Sequence, residues 1–248
     1  TFSVLTTTQI SALTVTQAKS LSTTDLLVLT TTQLSAINAT QFRAISTGQL
    51  NVLSTTNIVA LTGPQLSGLT ATQIGGLNTT AFGVLTTTQL TSLTATQVKG
   101  LTTTQLNALT VGNLDALDLT ELTLAQVAGL TTDQIGAMES GDLKALSTVA
   151  LRALTSDQLA ALGSDQVQAL TTTQVASLST GQVSALTSDD LNALTSGQIR
   201  ALGTAQVAAL TTGQVNTMES ADVAALATNQ VAALSSAQVG ALATNTMG

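Results

Sequence analysis

Large apolar residues stand at every eighth position of this chain: Leu5, Leu13, Leu21, Leu29, Ile37, Ile45, Leu53 and onward to Leu117. The series resumes at Leu122 and again steps by eight to Leu242, so 14 octads are followed by a five-residue step and 15 more octads. With the periodic residue numbered one, position two is Thr or Ser, five is Gln, six is Leu, Ile or Val, and eight is mostly Ala or Gly. Eight residues turn an α-helix through about 800°, so the apolar stripe of one long helix would drift by about 80° per repeat. The pattern therefore predicts a chain of very short helices, one per octad.

The polar positions supply the start signal. Ser or Thr at two and Gln at five form the capping-box spacing, in which the hydroxyl accepts from the N3 amide and the Gln side chain returns to the cap amide. Thr6/Gln9, Thr86/Gln89, Thr94/Gln97 and Thr171/Gln174 are plain instances, and 21 of the 22 Gln occupy position five, Gln168 being the exception. The rival is a β-solenoid, because Thr-rich triplets such as Thr6-Thr7-Thr8 suit a strand face. Charge placement separates the two. All six basic residues (Lys19, Arg43, Lys99, Lys144, Arg152, Arg200) fall at position seven, and twelve of thirteen acidic residues fall at two, four or five, with Asp115 apart at seven. A helix dipole favours that polarity, whereas a strand has none comparable. Pro64 at position four lies in a first turn, where its missing N–H costs little. The fold class is all-α, an α-solenoid of short capped helices, with the β-solenoid as alternative.

A lone octad buries two apolar side chains, at roughly 1.5–3 kcal/mol each, against about 1–2 kcal/mol of backbone entropy for each of its residues. Octads must stack, and the small residue at eight admits close approach between layers. Two octads per coil is the simplest arrangement, and with ~10 Å between packed layers it implies a rod of roughly 130–150 Å. The organisation is a first array over 1–117, a truncated repeat or kink over 118–122, and a second array over 123–248, forming one continuous solenoid. Met138-Glu139-Ser140 returns as Met218-Glu219-Ser220, an echo of duplication in blocks of octads.

Composition narrows the chemistry. The chain has no His and no Cys, which removes common metal ligands, the usual general base and the thiol nucleophile together. No catalytic, cofactor-binding or metal residue is expected, and the chain does not read as an enzyme. A net charge of −7 argues against nucleic acid, and no apolar run spans a membrane. Asp189-Asp190 reads as a solvated first turn, Gly75-Gly76 as tight packing, and Asp142 and Asp222 as stand-ins for the capping Gln. The chain starts at Thr1 without a signal-peptide pattern, which reads as a processed product or an excerpt.

The tandem LTTTQ, LTATQ and LTSDQ octads resemble the repeat arrays of giant secreted or cell-surface bacterial proteins, some described as adhesins. The resemblance spans essentially the whole chain and carries no catalytic residues. It implies an extracellular or cell-surface location. The expected function is structural: a filament, stalk or surface-layer element built by stacking coils. One alternative is an adhesin-like module that grips a partner through the variable position seven, and a second is an ice-binding threonine-rich solenoid. The expected partner is the chain itself, head to tail, or further octads of a longer parent chain, through terminal faces at Phe2, Val4, Leu5, Val239, Ala241 and Leu242. Exposed Thr and Ser are candidate sites for O-glycans.

Overall fold

The computed structural model describes residues 2–245, with side chains up to residue 242. Among the described residues there are 29 α-helices, nearly all four to six residues long, two 3-10 turns and no strand. The protein is an all-α solenoid, as the charge polarity predicts. Each helix up to Thr228–Ala232 starts one residue after position two, which is its N-cap. At a representative corner, Leu170 (φ −59°, ψ 143°) and Thr171 (φ −72°, ψ 156°) are both extended and the helix Thr172–Ser177 follows at once. Two extended residues redirect the chain, and no described residue has positive φ. The corners therefore need no glycine, and positions one and two are left to core and cap residues.

The coil holds three octads, not two. Helices pack on the third helix along the chain: Val15–Lys19 on Ala39–Ala44, that on Gly63–Gly68, and Thr172–Ser177 on Ser196–Ala201. The expectation of two, and the rod length built on it, is corrected. The coil closes where the corner angle brings position five over a carbonyl three octads back.

Positions one and six form the interior. Leu170 is 4% exposed and Val175 0%, and Phe42 and Phe82, both at position six, are fully buried. Position eight lies over position three of the layer before it. A Cβ on Gly100 would come within 2.8 Å of the Ala71 Cβ and 2.9 Å of its carbonyl oxygen, so the small residue there is a packing requirement. Gly75, at position seven, is crowded instead from the layer after it, since a Cβ on it would collide with the Gly100 carbonyl oxygen.

The chain divides into two compact units, Thr1–Leu122 and Thr123–Gly248. The first ends in the truncated repeat, where a 3-10 turn, Leu119–Glu121, replaces the helix and packs on Ala95–Lys99. Asp118 Oδ1 accepts from Thr120 N at 3.1 Å and caps the turn. Lys99 Nζ pairs with Glu121 Oε2 at 2.7 Å, a partly exposed contact worth at most about 1 kcal/mol. In the second unit the last helix, Ser236–Asn245, runs through Leu242, where the octad pattern predicts a corner. Ala243 and Thr246 stand where a capping hydroxyl and Gln belong, so the stop and restart signals are missing together.

Most octads form the complete capping box. At Gly163, Gly203 and Ala227, which have no side-chain oxygen, only the returning half exists; Gln166 Oε1 accepts from Gly163 N at 2.8 Å. Gly163→Ser is expected to restore the missing half and raise stability by about a few tenths of a kcal/mol. The site has room, since a Cβ there meets only Gln166 Oε1, at 3.8 Å. A denaturant midpoint that falls in the variant would show that the hydroxyl has no stabilising role.

Candidate functional site

The distinctive chemistry lies between layers. Gln174 is 3% exposed and uses its whole amide. Its Oε1 accepts from Thr171 N at 2.8 Å and from Thr171 Oγ1 at 3.0 Å, closing the capping box. Its Nε2 donates to the Leu146 carbonyl at 2.8 Å, the Leu143 carbonyl at 2.9 Å and, more distantly, that of Lys144 at 3.2 Å. Leu146 is a position-one residue 28 positions back. One buried side chain thus caps its own helix and satisfies the carbonyl ends of the helix beneath. The same rung recurs from Gln33 to Gln105 in the first unit and from Gln158 to Gln238 in the second. Helix ends are left with unpaired carbonyls, and here the next layer supplies their donors.

The capping box is legible in the sequence; the downward bond is not anticipated by it, although a signal for that bond exists. A capping box and a helix N-terminus both accept Glu, and the dipole favours the anion. Use of Gln in 21 of the 29 octads, and of Glu in none, points to a need for its two N–H groups. Asn57 and Asn113 confirm the requirement: each reaches the position-one carbonyl 28 residues back, at 3.1 Å to Leu29 and 3.3 Å to Leu85.

Position seven supplies rungs in the opposite direction. Asn51 Nδ2 donates to the Gly76 carbonyl at 2.9 Å, Gln168 Nε2 to Ala193 at 3.2 Å, Asn192 Nδ2 to Thr217 at 2.9 Å, and Arg200 Nε to Ala225 at 3.2 Å. Two of these also replace a missing cap. Position five is Ala81 in one octad and Asp222 in another, and neither receives the cap amide. Asn51 Oδ1 accepts Asn78 N at 2.9 Å, and Asn192 Oδ1 accepts Glu219 N at 3.3 Å. An Asn four octads earlier compensates for a lost Gln.

Two sequence expectations about acidic residues need correction. Neither Asp142 nor Asp222 forms a capping box, and the N-cap residues there, Glu139 and Glu219, make no side-chain cap bond. Asp25 and Asp190 do form one, with Ser22 and Thr187. Of the adjacent pair, Asp189 is solvated but Asp190 is 3% exposed. Asp190 Oδ2 accepts from Thr187 Oγ1 at 2.5 Å and Oδ1 accepts from Ser164 Oγ at 3.3 Å. The Ser22 hydroxyl and amide hold the Asp25 carboxyl below its ordinary range, whereas burial, reinforced by Glu219, pushes Asp222 upward. Among the described residues no group of His, Cys, Asp or Glu is arranged to hold a metal.

The six residues expected at terminal faces are placed as follows. Val4 is 75% exposed on the 3-10 turn Phe2–Val4, while Phe2 and Leu5 are half-buried. Val239 is 50% exposed, and Ala241 and Leu242 are half-buried, all on the last helix. The chemistry of the outer layers differs between the units. In the first layer Gln9 and Gln17 are exposed, and among the described residues their Nε2 groups have no protein acceptor. In the last layer Val231 joins Val239 in being about half exposed, and among the described residues nothing donates to the Leu226 and Leu234 carbonyls.

One column of the first unit carries no charge. The stacked helices Thr7–Ser11, Thr31–Ser35, Thr55–Val59, Thr79–Gly83 and Thr103–Asn107 each begin with two threonines. Of these ten residues all but the half-buried Thr31 are exposed.

The profile of the ALTTAQ repeat matches residues 42–79, 135–172, 167–196, 185–218 and 215–248, more than half of the chain. No curated protein matches.

Proposed function

We propose that this chain, which belongs to the ALTTAQ repeat family, is a mechanical rather than a catalytic protein, a stackable scaffold that serves as a filament, stalk or surface-layer element outside the cell. What carries the reading is the complementarity of its outer layers. Gln9 and Gln17 present donors of the kind that every inner layer inserts downward. Leu226 and Leu234 present acceptors of the kind that every inner layer receives upon. A further layer of the same octads matches both, supplied by a second copy or by more of the same chain, and a head-to-tail contact of this type need not close into a ring. Asp25, the third position-five residue of the first layer, cannot donate as a carboxylate, so a junction holds two rungs of three.

Light scattering at about tens of micromolar is expected to show head-to-tail oligomers that grow with concentration. Changing Gln9 and Gln17 to Glu together keeps each cap acceptor but removes the donors, and should leave monomers with unchanged helical circular dichroism. A monodisperse monomer from the parent chain would refute self-assembly. The extracellular assignment rests on the likeness to secreted repeat arrays, and protease shaving of intact cells tests it, since a chain cleaved only after lysis is intracellular. The adhesin reading is weaker, because several position-seven side chains make bonds within the stack. The charge-free threonine column favours a second reading, an ordered face for ice, for which thermal hysteresis is the decisive assay. Its free hydroxyls equally suit O-glycans, which intact mass measurement would reveal.

A further inference from the structure

We propose that Asp222 is a proton-operated clasp between two layers of the second unit: as the carboxylic acid it donates to the Leu194 carbonyl, and as the carboxylate it leaves that rung open. The inference rests on contacts between layers within the unit and is independent of end-to-end assembly.

Asp222 occupies position five, where the stack inserts a donor, yet a carboxylate has none. It is 6% exposed, and its Oδ2 has no hydrogen-bond partner. The position-one carbonyl 28 residues back is that of Leu194, itself 4% exposed. Among the described residues nothing donates to it, although the adjacent Leu186 and Leu202 carbonyls receive Gln214 and Gln230 at 2.8 and 2.7 Å. A buried acceptor facing a buried anion is the arrangement that proteins otherwise avoid. Reach is adequate, because Asn57 has the same length as a protonated Asp and spans the equivalent gap at 3.1 Å. Asp222 is also released from capping. Its own N-cap amide, Glu219 N, is held by Asn192 Oδ1, so the carboxyl is free to turn downward.

The charged groups around it favour the acid. Glu219 on its own element repels a second negative charge, and Asp189 and Asp190 lie on Ser188–Asn192, the helix whose Asn192 bonds Glu219 N. On the layer beneath, Ser196–Ala201 contributes only Arg200, whose Nε is bound to the Ala225 carbonyl at the far end of the helix. The neighbouring helices Thr212–Thr217 and Thr228–Ala232 carry no ionisable side chain. Burial first and Glu219 second raise Asp222 above the ordinary value of 3.8. The folded state therefore keeps the proton over a range where the unfolded chain has lost it. Stability from this group increases as pH falls from neutral toward that ordinary value, and gains nothing further below it.

Hydrogen exchange of the full chain between pH 4.5 and 7 tests the clasp. Once intrinsic exchange rates are corrected for, opening of the Leu194 and Asp222 layers should become rarer on acidification, by up to about tenfold per pH unit within the window. Asp222→Asn, which carries a permanent donor, should show greater protection than the parent at pH 7 and lose that increment of pH dependence. Equal pH dependence in both proteins, or lower protection in the variant at pH 7, would overturn the proposal. Carbon NMR titration of the Asp222 carboxyl in the unaltered chain gives a second readout, and a midpoint at or below 3.8 would also overturn it.

Discussion

Gln174→Glu is expected to destabilise its part of the stack by about 3–5 kcal/mol at neutral pH. Glu retains the oxygen that accepts Thr171 N, so the cap survives. The other carboxylate oxygen then faces the Leu143 and Leu146 carbonyls, which have lost their donor. An uncompensated buried charge and two orphaned acceptors arise together. Gln174→Ala removes the bonds without adding the charge and should cost less, about 1–3 kcal/mol. Ala81 and Ala150 already occupy position five beneath intact helices, so the truncation is tolerated. Acidification should recover much of the loss in the Glu variant, since the protonated side chain again has a donor, while leaving the Ala variant unchanged. Denaturant titrations at pH 7 and 4.5 check the ranking, and a Glu variant as stable as the parent would mean that the bonds between layers contribute nothing.

The second large effect separates core from cap. Leu170→Ala should cost about 2–5 kcal/mol through a cavity in the shared interior, because Leu170 is only 4% exposed. Thr171→Ala should cost on the order of 1 kcal/mol. The natural absence of the hydroxyl at Gly163, Gly203 and Ala227, where the helices still form, indicates why the cap ranks second. Because layers contact only their neighbours, both losses should appear as local opening as well as in the global midpoint. Hydrogen exchange in the Leu170 layer measures them, and the opposite order would mean that position one is not the interior residue.

Everything carried by neighbours within one octad is legible in the amino-acid sequence. The 3-residue spacing of Thr171 and Gln174 specifies a cap, and the opposite polarity of Lys99 or Arg200 and the first-turn acids specifies helix over strand. Leu at one and Val or Leu at six specify the interior. Three features are decided only by tertiary structure. The number of octads per coil depends on the corner angle at residues such as Leu170 and Thr171, which lie in a broad extended basin that leaves the angle open. The second bond of each Gln joins residues 28 to 31 apart, a separation that depends on coil size and so has no local signature. The displacement of the Glu219 cap amide onto Asn192 spans 27 residues and follows the same rule. Short-range steric and capping energies make the helix and name its buried face; the pairing of amides with carbonyls a full coil away determines which layer that face meets.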